Sequence, residues 1–220
     1  AWGGSAGGCV VVAADAADTA RRVDEIEAAG GTCTAIAADR AGTAGWRALH
    51  AQARAIAPPT ILVHSACPRR HEEQTVFAVT EDQWDAMVNT NMRSGFFLSR
   101  AIAEDMRIAG TAGRILVIAS LHAHTTRNLP HYSASKAAQV MIVKELARAY
   151  AQYGIRVNGI APGAIPGGGF KGDFAAISQK IPMGRPGTPD EVAQGALAIL
   201  SPRLGAYITG TILPVDGGLD

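Results

Sequence analysis

Tyr132 and Lys136 stand four residues apart in the segment Tyr132-Ser133-Ala134-Ser135-Lys136. On a helix these positions share a face, so the phenol and the ammonium are neighbours. A free tyrosine titrates near ~10, too high for a base at neutral pH. A fixed cation beside it favours the phenolate, lowers that value and makes the group usable as a general acid/base. Alone, such a pair is common on exposed helices and carries little. Here Ser120 lies just upstream, at the end of the apolar run Arg114 to Ala119, and its hydroxyl can bond a substrate oxygen. Asn91 falls in the helical stretch Trp84 to Met92. A polar residue buried in a helix needs partners, and a structural hydrogen bond is its default role.

Short β-branched runs alternate with stretches of helical period. Strands are expected at Cys9 to Ala14, Thr32 to Ala38, Thr60 to Ala66, Arg114 to Ala119, Ile155 to Ile160 and Thr211 to Val215. Helices are expected from Asp18 to Ala29, ending at Gly30-Gly31, and from Thr43 to Ala57, stopped by Pro58-Pro59. Thr80-Glu81-Asp82-Gln83 has the capping-box form and opens one continuous helix to about Ala109. A long helix runs from His131 to Tyr153, and Thr188-Pro189-Asp190-Glu191 opens the last one. Alternation of this kind implies an α/β, doubly wound parallel sheet of Rossmann-like type, three layers deep, with helices on both faces. Its ligands bind at the carboxyl ends of the strands. No linker or repeat divides the 220 residues, so 1–220 reads as a single domain.

The charge balance narrows the partners. Twenty basic and 19 acidic side chains leave a formal net charge of +1, which gives no footprint for nucleic acid or an anionic membrane. No apolar run is long enough to span a bilayer, and the start has no signal-peptide form. Cys9, Cys33 and Cys67 are odd in number and lack metal-ligand spacing; reduced thiols in a cytoplasmic protein are the simplest reading. His122, His124 and His131 cluster, but no carboxylate or cysteine completes a metal set, so they read as solvated or pocket-lining imidazoles.

The order Asn91, Ser120, Tyr132, Lys136 resembles the catalytic tetrad of the classical short-chain dehydrogenase/reductase family. The flanks resemble it too: Trp84-Asp85, Gly113-Arg114-Ile115, Ile155 to Gly163, Gly184 to Ala193, Tyr207-Ile208-Thr209-Gly210 and Val215-Asp216-Gly217-Gly218. The likeness runs from residue 9 to 218. It implies an oxidoreductase that moves a hydride between NAD(P)(H) and a secondary alcohol or ketone, with sugar acids or 3-oxoacyl thioesters as substrates. By that resemblance Tyr132 exchanges the proton on the substrate oxygen. Lys136 lowers its pKa and holds the nicotinamide ribose, Ser120 orients the substrate oxygen, and Asn91 supports a water that continues a proton relay from Lys136. Substrate would meet Ser120, His122 and Tyr132. The cofactor would meet Asp15, Asp39, Arg40, His64, Ala66, Tyr132, Lys136, Pro162, Gly163 and Ile165. Asp15, after the first strand, implies NAD rather than NADP, since its carboxylate bonds the adenosine ribose and repels a 2′-phosphate. A homodimer or homotetramer through the two long helices is implied as well.

Some features depart from the family pattern. Only eight residues precede Cys9, where the family has a strand, a glycine-rich turn and a helix; that first βα unit is expected to lie outside this chain. The family's Asn-Asn-Ala-Gly reads His64-Ser65-Ala66-Cys67. Ser120 to Tyr132 is one residue shorter than the commonest spacing, and Ile165-Pro166-Gly167 lacks the usual threonine. Gly167-Gly168-Gly169 reads as a mobile cover for substrate. The altered turn and missing unit also leave open a non-catalytic binding protein on the same fold.

Overall fold

The computed structural model describes residues 8–11, 16–38, 43–166 and 174–220. In chain order these form β1 (Gly8–Val11), α1 (Ala16–Ala28), β2 (Thr32–Ala35), α2 (Thr43–Ile56), β3 (Ile61–His64) and α3 (Glu81–Met87). A π-helical segment, Val88–Ser94, leads into α4 (Gly95–Ile108). Then come β4 (Arg114–Ile118), α5 (Pro130–Tyr150), β5 (Arg156–Pro162), α6 (Phe174–Ser178), α7 (Pro189–Leu200) and β6 (Ile212–Val215). Every strand pair is parallel. The order β3-β4-β5-β6 makes one sheet, and β1-β2 pair separately. The expected single sheet is thus two sheets among the described residues, because no ladder joins β1 or β2 to β3. No helix among the described residues is long and apolar enough to cross a membrane.

The middle strands explain the layers. Along β4, Ile115 and Val117 join the core made with Leu98, Ile102, Met106, Val143 and Leu146 of α4 and α5. Leu116 joins Ile160 of β5 and Ile199 and Leu200 of α7 in a second core. Successive strand residues point to opposite faces, so an unbroken apolar run means burial on both. Burial here supplies the main stabilising term, roughly 1.5–3 kcal/mol per large aliphatic side chain.

Helix starts follow their sequence signals. Thr80 and Gln83 form a complete capping box, as do Thr188 and Glu191. Pro130 and Pro189 occupy first-turn positions where their missing N–H costs nothing. The expected continuous helix to Ala109 is broken: a seven-residue segment of π geometry spans Val88–Ser94. A π turn carries an extra residue and shifts the hydrogen-bond ladder, and such turns concentrate at functional sites. It sets Asn91 fully buried. Gly95 follows, and a Cβ there would stand 3.1 Å from the His64 ring, so any larger residue requires that ring to give by a few tenths of an ångström.

The distal motifs serve β6 and the wall beside it. Asn158 donates to the Ile208 carbonyl (2.9 Å) and accepts from the Thr211 N–H (3.2 Å). Gly163 N–H donates to Val215 O and Gly187 N–H to Ala164 O, each at 3.0 Å, fixing the chain that leaves β5. Arg185 forks onto the Glu191 carboxylate at 3.0 and 2.6 Å, holding it well below the usual carboxylate range, at about 2.

Candidate active site

A cavity of about 350 Å³ opens where β3, β4 and β5 end. Ser65 and Cys67 line it after β3, Ile118 to His122 after β4, and Pro162 to Ile165 after β5. Tyr132 and Lys136 reach it from the first turns of α5. Arg70, Arg127 and the carboxylate of Glu72 add charged groups to its wall. His64 and Ala66 are not among its lining residues. In extended chain alternate side chains point opposite ways, and the His64 ring lies against Gly95 instead. Asp15, Asp39, Arg40 and the stretch 167–169 lie outside the described residues.

Tyr132 is hydrogen-bonded to Ser120, whose Oγ also accepts the His122 N–H at 3.2 Å. Met87 and Leu129 pack on the same ring. Burial pushes the phenol above its ordinary value; the Ser120 bond and the Arg70 charge pull it back only in part. The charge that pulls the phenol down is Arg70 rather than the expected Lys136, whose ammonium stands 5.6 Å from the ring centroid. Arg70 is nearer, its guanidinium carbon 4.7 Å from that centroid. Lys136 Nζ donates to Ile118 O (2.7 Å) and Gln139 Oε1 (3.0 Å). Burial lowers its pKa to about 8, with Arg70 adding to the fall and Cys67 opposing it.

Asn91 acts as a brace. Its Nδ2 donates to Ser135 Oγ at 3.0 Å, and Ser135 in turn donates to the Tyr132 carbonyl at 2.8 Å. The π turn and the start of α5 are thereby tied together. Cys67 Sγ lies 3.4 Å from the same Nδ2 and 3.9 Å from Met87 Sδ. This thiol sits among weak partners. His131 is fully buried, and among the described residues neither ring nitrogen has a hydrogen-bond partner. No group of three or more potential metal ligands occurs among the described residues.

His122 stacks edge-on against Tyr132 at 5.0 Å, and its Nε2 lies 3.4 Å from Arg70 Nη1. Burial first, then Arg70, Arg127 and Lys136, hold its pKa down at about 4. On unfolding, the ring regains its ordinary value of 6.5. Between these values the unfolded chain binds more protons, so stability falls as pH is lowered through that window. Solvent screening of a partly open ring limits the effect to ~1 kcal/mol, or roughly 2–4 °C in Tm. Thermal melts should therefore show that His122→Gln loses less Tm than the parent between about pH 7 and 4.5. Equal losses would remove His122 from the account.

Sequence reasoning passed over Arg70 and Gln139. Arg70 follows a strand at its carboxyl end, where side chains meet ligands, and that rule was the available signal. Gln139 sits three residues beyond Lys136, on the same helix face.

The cavity's donors suit the nicotinamide half of a dinucleotide. An ammonium has three protons, and among the described residues Lys136 commits two of them, leaving one for a ribose hydroxyl. The location, at the carboxyl ends of parallel strands, is where such sheets take ligands.

Comparison with known proteins bears on the same point. A family model described as enoyl-(acyl carrier protein) reductase matches residues 4–220. The 2-dehydro-3-deoxy-D-gluconate 5-dehydrogenase of Dickeya dadantii is 32% identical, over 96% of this chain and 85% of its own. The galactitol 2-dehydrogenase (L-tagatose-forming) of Cereibacter sphaeroides is 33% identical, over 99% and 87%. Among solved structures, a gluconate 5-dehydrogenase from Burkholderia cenocepacia in complex with NADP and tartrate superposes with a TM-score of 0.86. It is 28% identical and covers 96% of this chain and 84% of that one. A variant of a Serratia marcescens short-chain dehydrogenase/reductase gives 0.87, at 29% identity over 96% and 87%. Sequence match, layered parallel sheet and strand-end cavity agree, and the chain is an oxidoreductase belonging to the short-chain dehydrogenase/reductase family.

Proposed function

We propose that the chain is an NAD(P)-dependent dehydrogenase of small polyhydroxy acids, interconverting a secondary alcohol and a ketone. The observation that carries the substrate class is Arg70, stacked on the Tyr132 ring inside the cavity, with His122 against it and two arginines to one glutamate, Glu72, in the lining. A guanidinium fork matches a carboxylate. The Burkholderia relative's complex with tartrate, a dicarboxylate, supports the same chemistry. A 3-oxoacyl thioester offers no carboxylate at the reacting end and fits Arg70 less well.

When bound, the nicotinamide supplies the hydride acceptor or donor. Ser120 bonds the substrate oxygen and orients it. In reduction the Tyr132 phenol, kept protonated by burial, donates its proton to that oxygen. In oxidation it takes the alcohol proton, and Arg70 and Lys136 stabilise the phenolate. Lys136 also holds the ribose, Asn91 braces the pair, and Pro162, Gly163 and Ile165 wall the nicotinamide. Ser65 and Cys67 take the turn first assigned to His64 and Ala66. Asp15, Asp39 and Arg40 hold the adenosine half, and Asp15 favours NAD. The chain works as one domain over 1–220, in the cytoplasm, as a homodimer or homotetramer through α4 and α5.

The test is a fluorescence titration with NADH and NADPH, followed by turnover of aldonic acids, matched polyols and a 3-oxoacyl thioester with the preferred cofactor. Expected are NADH binding at least ~10-fold tighter and turnover of the acids. Preference for NADPH keeps the enzyme and removes the role of Asp15. Binding of neither leaves the dehydrogenase reading without support and favours a non-catalytic binding protein.

A further inference from the structure

We propose that Gln139 is a positioning residue of the reaction, its side-chain amide tying the Lys136 ammonium to the backbone carbonyl of Asn91. The inference rests on the reading of Tyr132 and Lys136 as the reacting pair.

Gln139 is 1% exposed, Lys136 3% and Asn91 0%. Oε1 accepts from Lys136 Nζ at 3.0 Å, and Nε2 donates to Asn91 O at 3.0 Å. An ammonium can only donate and a carbonyl can only accept, so the amide has one orientation. The bridge spans α5 and the π segment and belongs to neither helix ladder.

Its effect on the lysine follows from burial. Taking an ammonium out of water is costly, and each acceptor on it lowers that cost. Lys136 has two among the described residues, Ile118 O and Gln139 Oε1. The titratable groups around it are Tyr132 on its own helix, Cys67 and Arg70 from the segment after β3, and His122 from the turn after β4. Arg70 acts against its charge, and Cys67 acts for it. Without Gln139 the ammonium keeps one acceptor, loses its proton more readily and is freer to leave Tyr132.

The bridge also recasts Asn91. The family resemblance gives Asn91 a water that passes protons on from Lys136. Here an amide spans the two groups directly, and an amide makes hydrogen bonds without carrying a proton. Asn91 is thus the anchor of the lysine rather than a step in a relay.

Two readouts test the role of Gln139. The first is the titration of Lys136 in the protein alone, by NMR of 13C-ε-lysine; the chain has only four lysines, at 136, 144, 171 and 180, and a Lys136→Met variant assigns the signal. The second is kcat against pH with the preferred substrate. Gln139→Met is expected to lower the Lys136 midpoint by about half a unit or more, and kcat by ~10-fold with KM within about two-fold. Gln139→Glu is expected to raise the midpoint, since a carboxylate favours the ammonium. It also serves if the methionine variant does not fold. Unmoved midpoints in folded variants overturn the proposal. If the parent turns over no substrate, the functional reading fails while the lysine titration still decides the role of Gln139.

Discussion

Tyr132→Phe is expected to lower kcat by about a thousand-fold or more and to leave NADH binding within a few-fold of the parent. The substitution removes one oxygen. The ring still packs on Met87 and Leu129, still carries the Arg70 guanidinium and still faces His122. What goes is the hydroxyl bonded to Ser120, at a cost of roughly 1 kcal/mol in stability. Loss of fold therefore does not explain loss of rate. With the phenol gone, the hydroxyl that bonds Ser120 is lost, and neither neighbour replaces it: His122 is held neutral at neutral pH, and Lys136 is committed to Ile118 O and Gln139 Oε1. Steady-state kinetics and thermal melts on the same preparation check the outcome. Turnover within ten-fold of the parent would falsify the assignment of Tyr132. A non-catalytic binding protein, by contrast, keeps its ligand affinity in the variant and has no rate to lose.

Layers and helix starts were readable because their causes are local. The run Ile115 to Ala119 is apolar on both faces, and the middle of β4 is buried on both. Thr80 and Thr188 carry their capping partners three residues on, and both boxes form. The π turn was hidden. Val88-Asn89-Thr90-Asn91-Met92-Arg93-Ser94 is rich in weak helix formers, but that composition does not distinguish a π slip from an ordinary weak helix, and the slip answers to distant groups. Among those are Gln139 on the Asn91 carbonyl and Ser135 on its side chain. Arg70 was hidden for another reason. It lies between β3 and α3 in irregular chain, where periodicity gives no sign of where a side chain points. The protonation of the site also escaped the sequence. Spacing puts Tyr132 and Lys136 on one face, but burial decides their pKa values, and it moves them towards a neutral phenol and a weakened ammonium.

Arg70→Gln separates substrate recognition from chemistry. A charge-assisted, forked bond to a carboxylate in a partly closed cavity contributes roughly 1.5–3 kcal/mol, so kcat/KM for an aldonic acid should fall by about 10- to 100-fold, mostly through KM. A matched neutral polyol offers no carboxylate and should change by about three-fold or less. The guanidinium also lies against the Tyr132 ring and lowers the phenol's pKa. Its removal should move the acidic limb of the oxidation profile to higher pH for both substrates, because a harder-to-ionise phenol needs a more basic solution to accept the alcohol proton. Arg70→Lys keeps the charge without the planar fork and should fall between parent and glutamine variant for the acid. Arg69 is exposed and outside the cavity lining, so Arg69→Gln supplies the control with neither effect. Equal losses on acid and polyol would make Arg70 a support for the tyrosine alone. In that event carboxylate recognition would have to come from Arg127, the other arginine in the cavity wall.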